Sequence, residues 1–226
     1  MRRVAIIPAR GGSKRLPRKN VIDFLGKPII AYTIEAALKT QLFDKVVVST
    51  EDDEIAEVAK GVGAETVERP YSLADDSSLV ADVCLHFLQE ESKLGKDYDL
   101  MCCLYATAPL RNAEDIGSTV NLVESGSADF ALAVTEYHFP PHQALFQNDK
   151  DFLEPLWPDW NRMKSQEVPK MVVDNGSTYA VRVHEFMQIK NFYGERLKGY
   201  VMPKIRSIDI DTRDDFVIAE SFARLK

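Results

Sequence analysis

Two stretches carry residue types that could do chemistry together. The first is residues 9–20, ARGGSKRLPRKN, where five of the ten residues from Arg10 to Lys19 are cationic and none is anionic. Gly11 and Gly12 let a backbone approach an anion closely, and the turn that follows can aim N–H groups at it. Arg10, Lys14 and Lys19 add side-chain charge, so the stretch is equipped for a polyanion such as a triphosphate. A solvated surface turn is its plainer alternative. Neither G-x-G-x-x-G nor G-x-x-x-x-G-K-[ST] is present, which removes the familiar dinucleotide and P-loop fingerprints. The second stretch is SIDIDT, residues 207–212. In a strand, side chains alternate faces, so Asp209 and Asp211 project together roughly 6.5–7 Å apart while Ile208 and Ile210 face the core. Two carboxylates on one face repel unless a cation lies between them. Mg²⁺ suits the position, being hard, oxygen-seeking and used to sharing its shell with substrate phosphates. The plainer alternative is a pair of solvated strand-end aspartates beside the next helix. A phosphate loop in the same chain favours the metal, because a triphosphate substrate calls for a divalent ion.

The basic cluster is local. The 226-residue chain has a formal charge of −7 and a pI near 5.2, which argues against a general nucleic-acid or membrane-surface binder. Cys84, Cys102 and Cys103 have neither zinc-ligand spacing nor the density of a disulfide framework. Two of them lie inside the apolar run LMCCLYA, where a thiol acts as a small hydrophobe and fits a reducing cytoplasm. Arg2 and Arg3 resemble the start of a signal peptide, but the apolar run after them is too short for one. No stretch approaches the ~20 apolar residues that span a bilayer.

The elements that must position these residues follow from periodicity. Buried strands are expected at 4–9, 45–50, 99–106 and 130–137. Amphipathic helices are expected at 27–40, 52–63, 79–92 and 113–125, the third capped by Ser77 or Ser78. Such alternation argues for a mostly parallel sheet covered on both faces, with ligands beyond the carboxyl ends of its strands. The loop at 9–20 sits at that place, directly after the first strand. From Phe139 to Pro169 the periodicity lapses, and five of the eleven prolines and both tryptophans fall there. A long aperiodic segment of this kind is usually functional. Regularity resumes with strands at 177–183 and 201–212 and a helix at 213–225.

The sequence IIPARGGSKRLPRKN resembles the nucleotide-binding signature of the acylneuraminate cytidylyltransferases, which activate nine-carbon 2-keto sugar acids. LGKPIIAYTIEAAL, VVVSTEDDEIAEVAKGVGAE, ERPYSLADDSS, LYATAPLR, DNGSTYAV and SIDIDT extend the likeness in order across nearly the whole chain. The resemblance implies an α/β, Rossmann-like (GT-A-like) nucleotidyltransferase fold of three αβα layers. It implies a single cytidylyltransferase domain over 1–226, with an insertion at about 139–175 serving a homodimer interface and the sugar site. The implied reaction joins CMP from CTP to the C2 hydroxyl of a nonulosonic acid and releases pyrophosphate. Asp209 and Asp211 would hold Mg²⁺, with Mn²⁺ a possible substitute. Ala9, Arg10, Gly11, Gly12, Ser13, Lys14, Lys19, Asn20, Arg69, Ser78 and Tyr105 would contact the nucleotide, the amides of Gly11 to Ser13 holding phosphates and Arg69 lying toward the base. Lys14 joins the two aspartates in the catalytic set. Tyr105, Lys164, Gln166 and Asn175 would face the sugar. Asn20 reads equally well as a turn anchor, and Arg69 as a surface arginine. His138 and His142 read first as structural, and Trp157 and Trp160 as interface residues before sugar-stacking ones.

Three positions depart from the sialic acid pattern. Tyr105 and Ala106 replace a Gln-Pro pair, which likens CCLYATAP to the pseudaminic acid branch. Lys164 stands where relatives carry the arginine of an RxQ element associated with the sugar carboxylate; lysine keeps the charge but loses the two-pronged geometry. VVDNGSTYAV instead resembles the sialic and legionaminic acid enzymes. The acceptor therefore stays open among sialic, pseudaminic and legionaminic acids. Competing readings are another nucleotidyltransferase, such as the enzyme for the eight-carbon (KDO) acid, or a nucleotide-binding module without turnover.

Overall fold

The run VAIIPA becomes β1 (Arg3–Pro8) of a seven-stranded sheet in the computed structural model, which describes residues 1–75, 77–164 and 166–225. A small hairpin, β2 (Asp23–Phe24) and β3 (Lys27–Pro28), leads into α1 (Ile29–Lys39). Then follow β4 (Lys45–Thr50), α2 (Asp53–Val62), β5 (Glu65–Glu68), α3 (Val80–Lys93), β6 (Leu100–Leu104), α4 (Ala113–Glu124) and β7 (Phe130–Glu136). A second hairpin, β8 (Leu145–Gln147) and β9 (Leu153–Pro155), precedes β10 (Val172–Arg182), α5 (Val183–Ile189), β11 (Leu197–Val201) and α6 (Arg213–Ala223). The sheet order is β11-β7-β10-β6-β1-β4-β5. β10 is antiparallel to both of its neighbours, whereas the β11–β7, β6–β1, β1–β4 and β4–β5 pairs are parallel. The mostly parallel α/β sheet with helices on both faces is as the sequence implied.

Strand alternation sorts the apolar runs into two cores. Ala5 and Ile7 of β1, Val46 and Val48 of β4, and Leu100, Cys102 and Leu104 of β6 pack with α1, α2 and α4. Val4, Ile6, Val47, Met101 and Cys103 pack on the other face with Cys84, Phe87 and Leu88 of α3 and Phe186 of α5. These central strands are apolar throughout because both of their faces are covered. The three cysteines are free and buried, as small hydrophobes would be. A third cluster joins Phe24, Ile29, Leu110, Ile210 and Phe216, fixing α6 and the segment before it against the body.

Three expectations need correction. No strand covers 201–212; β11 occupies 197–201, a short 3₁₀ turn covers Lys204–Arg206, and residues 207–211 run without ladder pairing. The alternation survives locally, since the Ile210 amide donates to the Thr107 carbonyl at 2.9 Å and Ile208 and Ile210 pack into the third cluster. Helix α3 takes no side-chain cap; Leu79 is its N-cap residue, and Ser77 and Ser78 both donate to Asp75 instead. The aperiodic insertion contains the β8–β9 hairpin, which pairs with neither edge of the main sheet. No helix among the described residues is long and apolar enough to cross a membrane.

Candidate active site

A crevice of about 480 Å³ opens beyond the carboxyl ends of β1, β5 and β6. Pro8 and the loop after it form one wall, Arg69 and Ser78 another, and Tyr105, Ala106 and Thr107 the floor. Five of its lining side chains are cationic (Arg10, Lys14, Arg15, Lys19, Arg69) against two carboxylates, Asp75 and Asp211. In a chain of net charge −7, that local excess suits a polyanion.

The N-terminal loop and the C-terminal acid meet here. Lys19 Nζ donates to Asp211 Oδ1 at 2.6 Å and Arg15 Nη2 to Asp211 Oδ2 at 2.7 Å. Partial burial works against the charged form of Asp211, yet the two cations outweigh it and hold the carboxyl below its ordinary pKa. Asp209 sits just behind the lining. Thr107 Oγ1 donates to it, while burial, with repulsion from Asp211 added, pushes its carboxyl upward. The Thr107 residue thus grips the acid segment twice, by its hydroxyl at Asp209 and by its carbonyl at Ile210.

This donor set fits Mg²⁺. The two carboxylates are hard oxygen donors, and Asp211 already gathers two cations. No cluster of three or more His, Cys, Asp or Glu suited to a metal occurs among the described residues, so phosphate and water would complete the shell, as Mg²⁺ prefers.

Gly176 closes the back of the site. It lies in the bulge between Asp174 and Tyr179 of β10, at φ +65°, and a Cβ there would stand 2.9 Å from Asp209 Oδ2. Beneath the floor is Arg111, 3% exposed. Its guanidinium donates to the Ser177 carbonyl at 2.5 Å and to Thr33 Oγ1 at 2.7 Å, with a longer contact to the Tyr105 carbonyl. Among the described residues it forms no ion pair and its Nε has no partner. Burial brings its pKa down to about 10. A second buried arrangement steadies the approach to the acids: Arg206 donates twice, at 2.9 and 2.8 Å, to the fully buried Asp115.

Several expected nucleotide contacts take other roles. Arg10, Ser13, Lys14 and Lys19 line the crevice, as do Ser78, Arg69 and Tyr105. Ala9 does not; it is buried, and its amide donates to the Ser49 carbonyl. The Gly11 amide donates to Glu51 at 2.8 Å, and the Ser13 amide donates back to the Gly11 carbonyl, so neither offers itself to a phosphate. Gly12 lies outside the lining. Gly11 is needed for a different reason: a Cβ would come 2.3 Å from Asp52 Oδ2. Asp52 in turn caps α2 through the Ile55 amide and pairs with Arg18, which also reaches Glu54. That arginine, counted within the basic run, clamps the loop from behind. Asn20 proves an anchor at the crevice edge, 6% exposed and donating to the Arg10 carbonyl at 2.8 Å. Arg69 is buried rather than a surface residue, bonded to the Ser49 carbonyl at 2.6 Å.

Of the sugar candidates, only Tyr105 lines the crevice, its ring tilted against that of Tyr179 at 5.1 Å between centroids. Asn175 is buried, and its amide is spent on Ser207, Met202 and Ser177. Lys164 and Gln166 are exposed on the insertion, away from this lining. His142 is buried in the insertion, and His138 packs edge-on to Phe139. Arg15, Thr107 and Arg111 escaped the sequence reading; Arg15 lay in the basic run and the other two in LYATAPLR.

A family profile described as Cytidylyltransferase matches residues 4–153. The chain is similar to the pseudaminic acid cytidylyltransferase of Campylobacter jejuni, 37% identical over 97% of this chain and 95% of that one. It is similar to the CMP-N,N'-diacetyllegionaminic acid synthase of Legionella pneumophila, 33% identical over 100% of this chain and 97% of that one. In fold it resembles a CMP:2-keto-3-deoxy-manno-octonic acid synthetase solved with CTP, at TM-score 0.70 and 17% identity, over 100% of this chain and 99% of the other.

Proposed function

The chain belongs to the cytidylyltransferase family, a family of nucleotidyltransferases, and from that membership we propose that it transfers CMP from CTP to the C2 hydroxyl of a nonulosonic acid, releasing pyrophosphate. The observation that carries the reading is the meeting of Arg15 and Lys19 with Asp211 inside one crevice.

The chain's residues divide the work. Arg10, Lys14, Arg15 and Lys19 receive the triphosphate, where charge builds on non-bridging oxygens as the α-phosphorus is attacked in line with the departing pyrophosphate. Ser13 adds a hydroxyl donor to the wall. Buried Arg69 stands on the base side, a cation already oriented by Ser49. Asp209 and Asp211 would hold Mg²⁺, or Mn²⁺ in its place. When bound, the ion supplies charge neutralisation at the phosphates and orients the attacking hydroxyl. Thr107, Gly176 and Arg111 act through these groups by fixing Asp209 and the floor. Tyr105 faces the acceptor.

Pseudaminic acid is the acceptor the sequence comparison favours, together with CCLYATAP at the floor. The sialic and legionaminic likeness of DNGST weighs less, because Asn175 is spent on Ser207 and Met202 and Gly176 answers to packing against Asp209. We place the whole of 1–226 in one catalytic unit of a cytoplasmic homodimer. Its insertion at about 139–175, with Phe152 at 67% and Leu153 at 63% exposure, forms the interface. Lys164 and Gln166 reach a sugar only through that assembly.

The test is pyrophosphate release from CTP and Mg²⁺ with sialic, legionaminic, pseudaminic and the eight-carbon acid as acceptors. Release is expected with pseudaminic acid above the others and is lost on chelation. Silence with every nine-carbon acid overturns the assignment, and release with the eight-carbon acid alone transfers it to that chemistry. CTP binding without turnover on any acid leaves a non-catalytic module.

A further inference from the structure

Asp211 is the acid through which nucleotide and metal meet, yet both of its oxygens are engaged by the chain itself, Oδ1 by Lys19 and Oδ2 by Arg15. Each of these cations competes with Mg²⁺ for the charge and lone pairs of that carboxylate, so an oxygen brought to about 2.0–2.1 Å of the ion binds it more strongly once at least one cation has left. The two cations are held differently. Lys19 has a side chain 17% exposed and lies at the start of the short 3₁₀ turn Lys19–Val21, whose Asn20 anchors the loop. Arg15 has a side chain 68% exposed, and among the described residues Asp211 is its sole ion-pair partner. It is the more readily released of the two.

We propose that Arg15 and Lys19 are place-holding cations: they neutralise Asp211 in the empty enzyme and are drawn off by the incoming triphosphate, so that the metal ligand is exposed only when a nucleotide is present. The inference rests on Asp211 as a metal ligand and goes further, to the order and coupling of binding. The same guanidinium and ammonium that keep the acid closed become phosphate contacts once the polyanion enters, because phosphate competes for them with more charge than one carboxylate carries. Nucleotide and metal therefore strengthen one another's binding beyond simple chelation by the nucleotide, and the coupling is reciprocal. Without CTP, metal binds weakly, which spares the acid pair from an unproductive ion.

The experiment measures Mn²⁺ binding without nucleotide, by electron paramagnetic resonance of the free ion. It uses the full chain in wild-type form and as Arg15→Gln, Arg15→Lys, Arg18→Gln and Asp211→Asn. Arg15→Gln is expected to bind Mn²⁺ roughly three- to fivefold more tightly, in line with the upper worth of an exposed ion pair. Arg15→Lys is expected to stay near wild type. Arg18→Gln removes the same charge from the same loop, but from a side chain paired to Asp52 and Glu54, and is expected to change the affinity by less than twofold. Asp211→Asn abolishes the site. An unchanged or weaker affinity in Arg15→Gln overturns the inference, as does an equal gain in Arg18→Gln, which makes the effect one of net charge. Mn²⁺ binding indifferent to Asp211→Asn removes the metal role of that residue, and the proposed reaction geometry falls with it.

Discussion

Gly176→Ala tests whether the β10 bulge positions Asp209. Two costs are legible in the geometry. The backbone is left-handed, at φ +65°, which an alanine adopts at about 1–2 kcal/mol. Its Cβ would also stand 2.9 Å from Oδ2, 3.3 Å from Cγ and 3.4 Å from Cβ of Asp209. The acid cannot simply swing aside, because Thr107 holds its carboxylate and the Ile210 amide fixes the next residue. Overpacking of this kind costs roughly 1–3 kcal/mol. Gly126 provides the internal control: it has φ +75° but nothing within 4 Å of a built Cβ. Gly126→Ala should therefore lower Tm by about 2–8 °C, from the backbone term at about 2–4 °C per kcal/mol for a chain of this size. Gly176→Ala, which adds the overpacking cost to the backbone one, should lower it by roughly 4–20 °C. A displacement of a few tenths of an ångström at Asp209 should also cut kcat about tenfold, as misplacement by a full ångström can cost about a hundredfold. The KM for CTP should stay within about threefold, since the basic loop is untouched. Differential scanning fluorimetry and steady-state pyrophosphate release read both. If the two variants lose equal stability and Gly176→Ala keeps its kcat, the bulge does not position the acid.

Arg206→Met should cost about 3–5 kcal/mol by urea unfolding, because it strands a fully buried Asp115; adding Asp115→Asn should recover part of the loss. Simple additivity of the two changes refutes the pairing. Asp52 has its pKa depressed, chiefly by Arg18, so the stability it contributes is present above the ordinary carboxylate pKa and is lost as pH falls through the lowered value. Arg18→Gln should therefore destabilise by no more than about 1 kcal/mol near pH 6 and by progressively less as pH falls below the ordinary carboxylate pKa; a gap unchanged with pH contradicts that sign. Leu153→Glu should convert a dimer to a monomer in multi-angle light scattering while leaving the monomer's far-ultraviolet spectrum intact, since Leu153 is exposed on the hairpin. An unchanged mass removes that face from the interface.

The central strands could be read from the sequence because burial on both faces leaves a simple apolar signature, as in VAIIP and LMCCL. The edges could not. β11 is LKGYV and β5 is ETVE, short mixtures whose polar residues meet solvent, so nothing in composition separates them from loop. The two acids were legible by type and spacing, but their strand was not real; the Thr107 carbonyl and the third core cluster impose alternation on a segment without a ladder. In the basic run, residue type marked the polyanion site and left the division of labour hidden. Arg18 and the Gly11 amide face acids of the 51–54 segment, and only the parallel placement of β4 beside β1 brings those acids behind the loop. Arg111 and Asp115 were missed for a related reason. A buried charge is tolerable only through partners distant in sequence, and those partners are a tertiary fact.

Arg111 also bears on how the enzyme should respond to brine. Dissolved electrolyte gathers around outlying cations such as Arg15 and blunts their pull within about 10 Å at 0.1 M, but mobile ions cannot enter the carbonyl cage that encloses Arg111. Titrating in sodium chloride should therefore erode nucleotide affinity only down to a floor, to which Arg111 under the crevice and the likewise buried Arg69 in its wall both contribute.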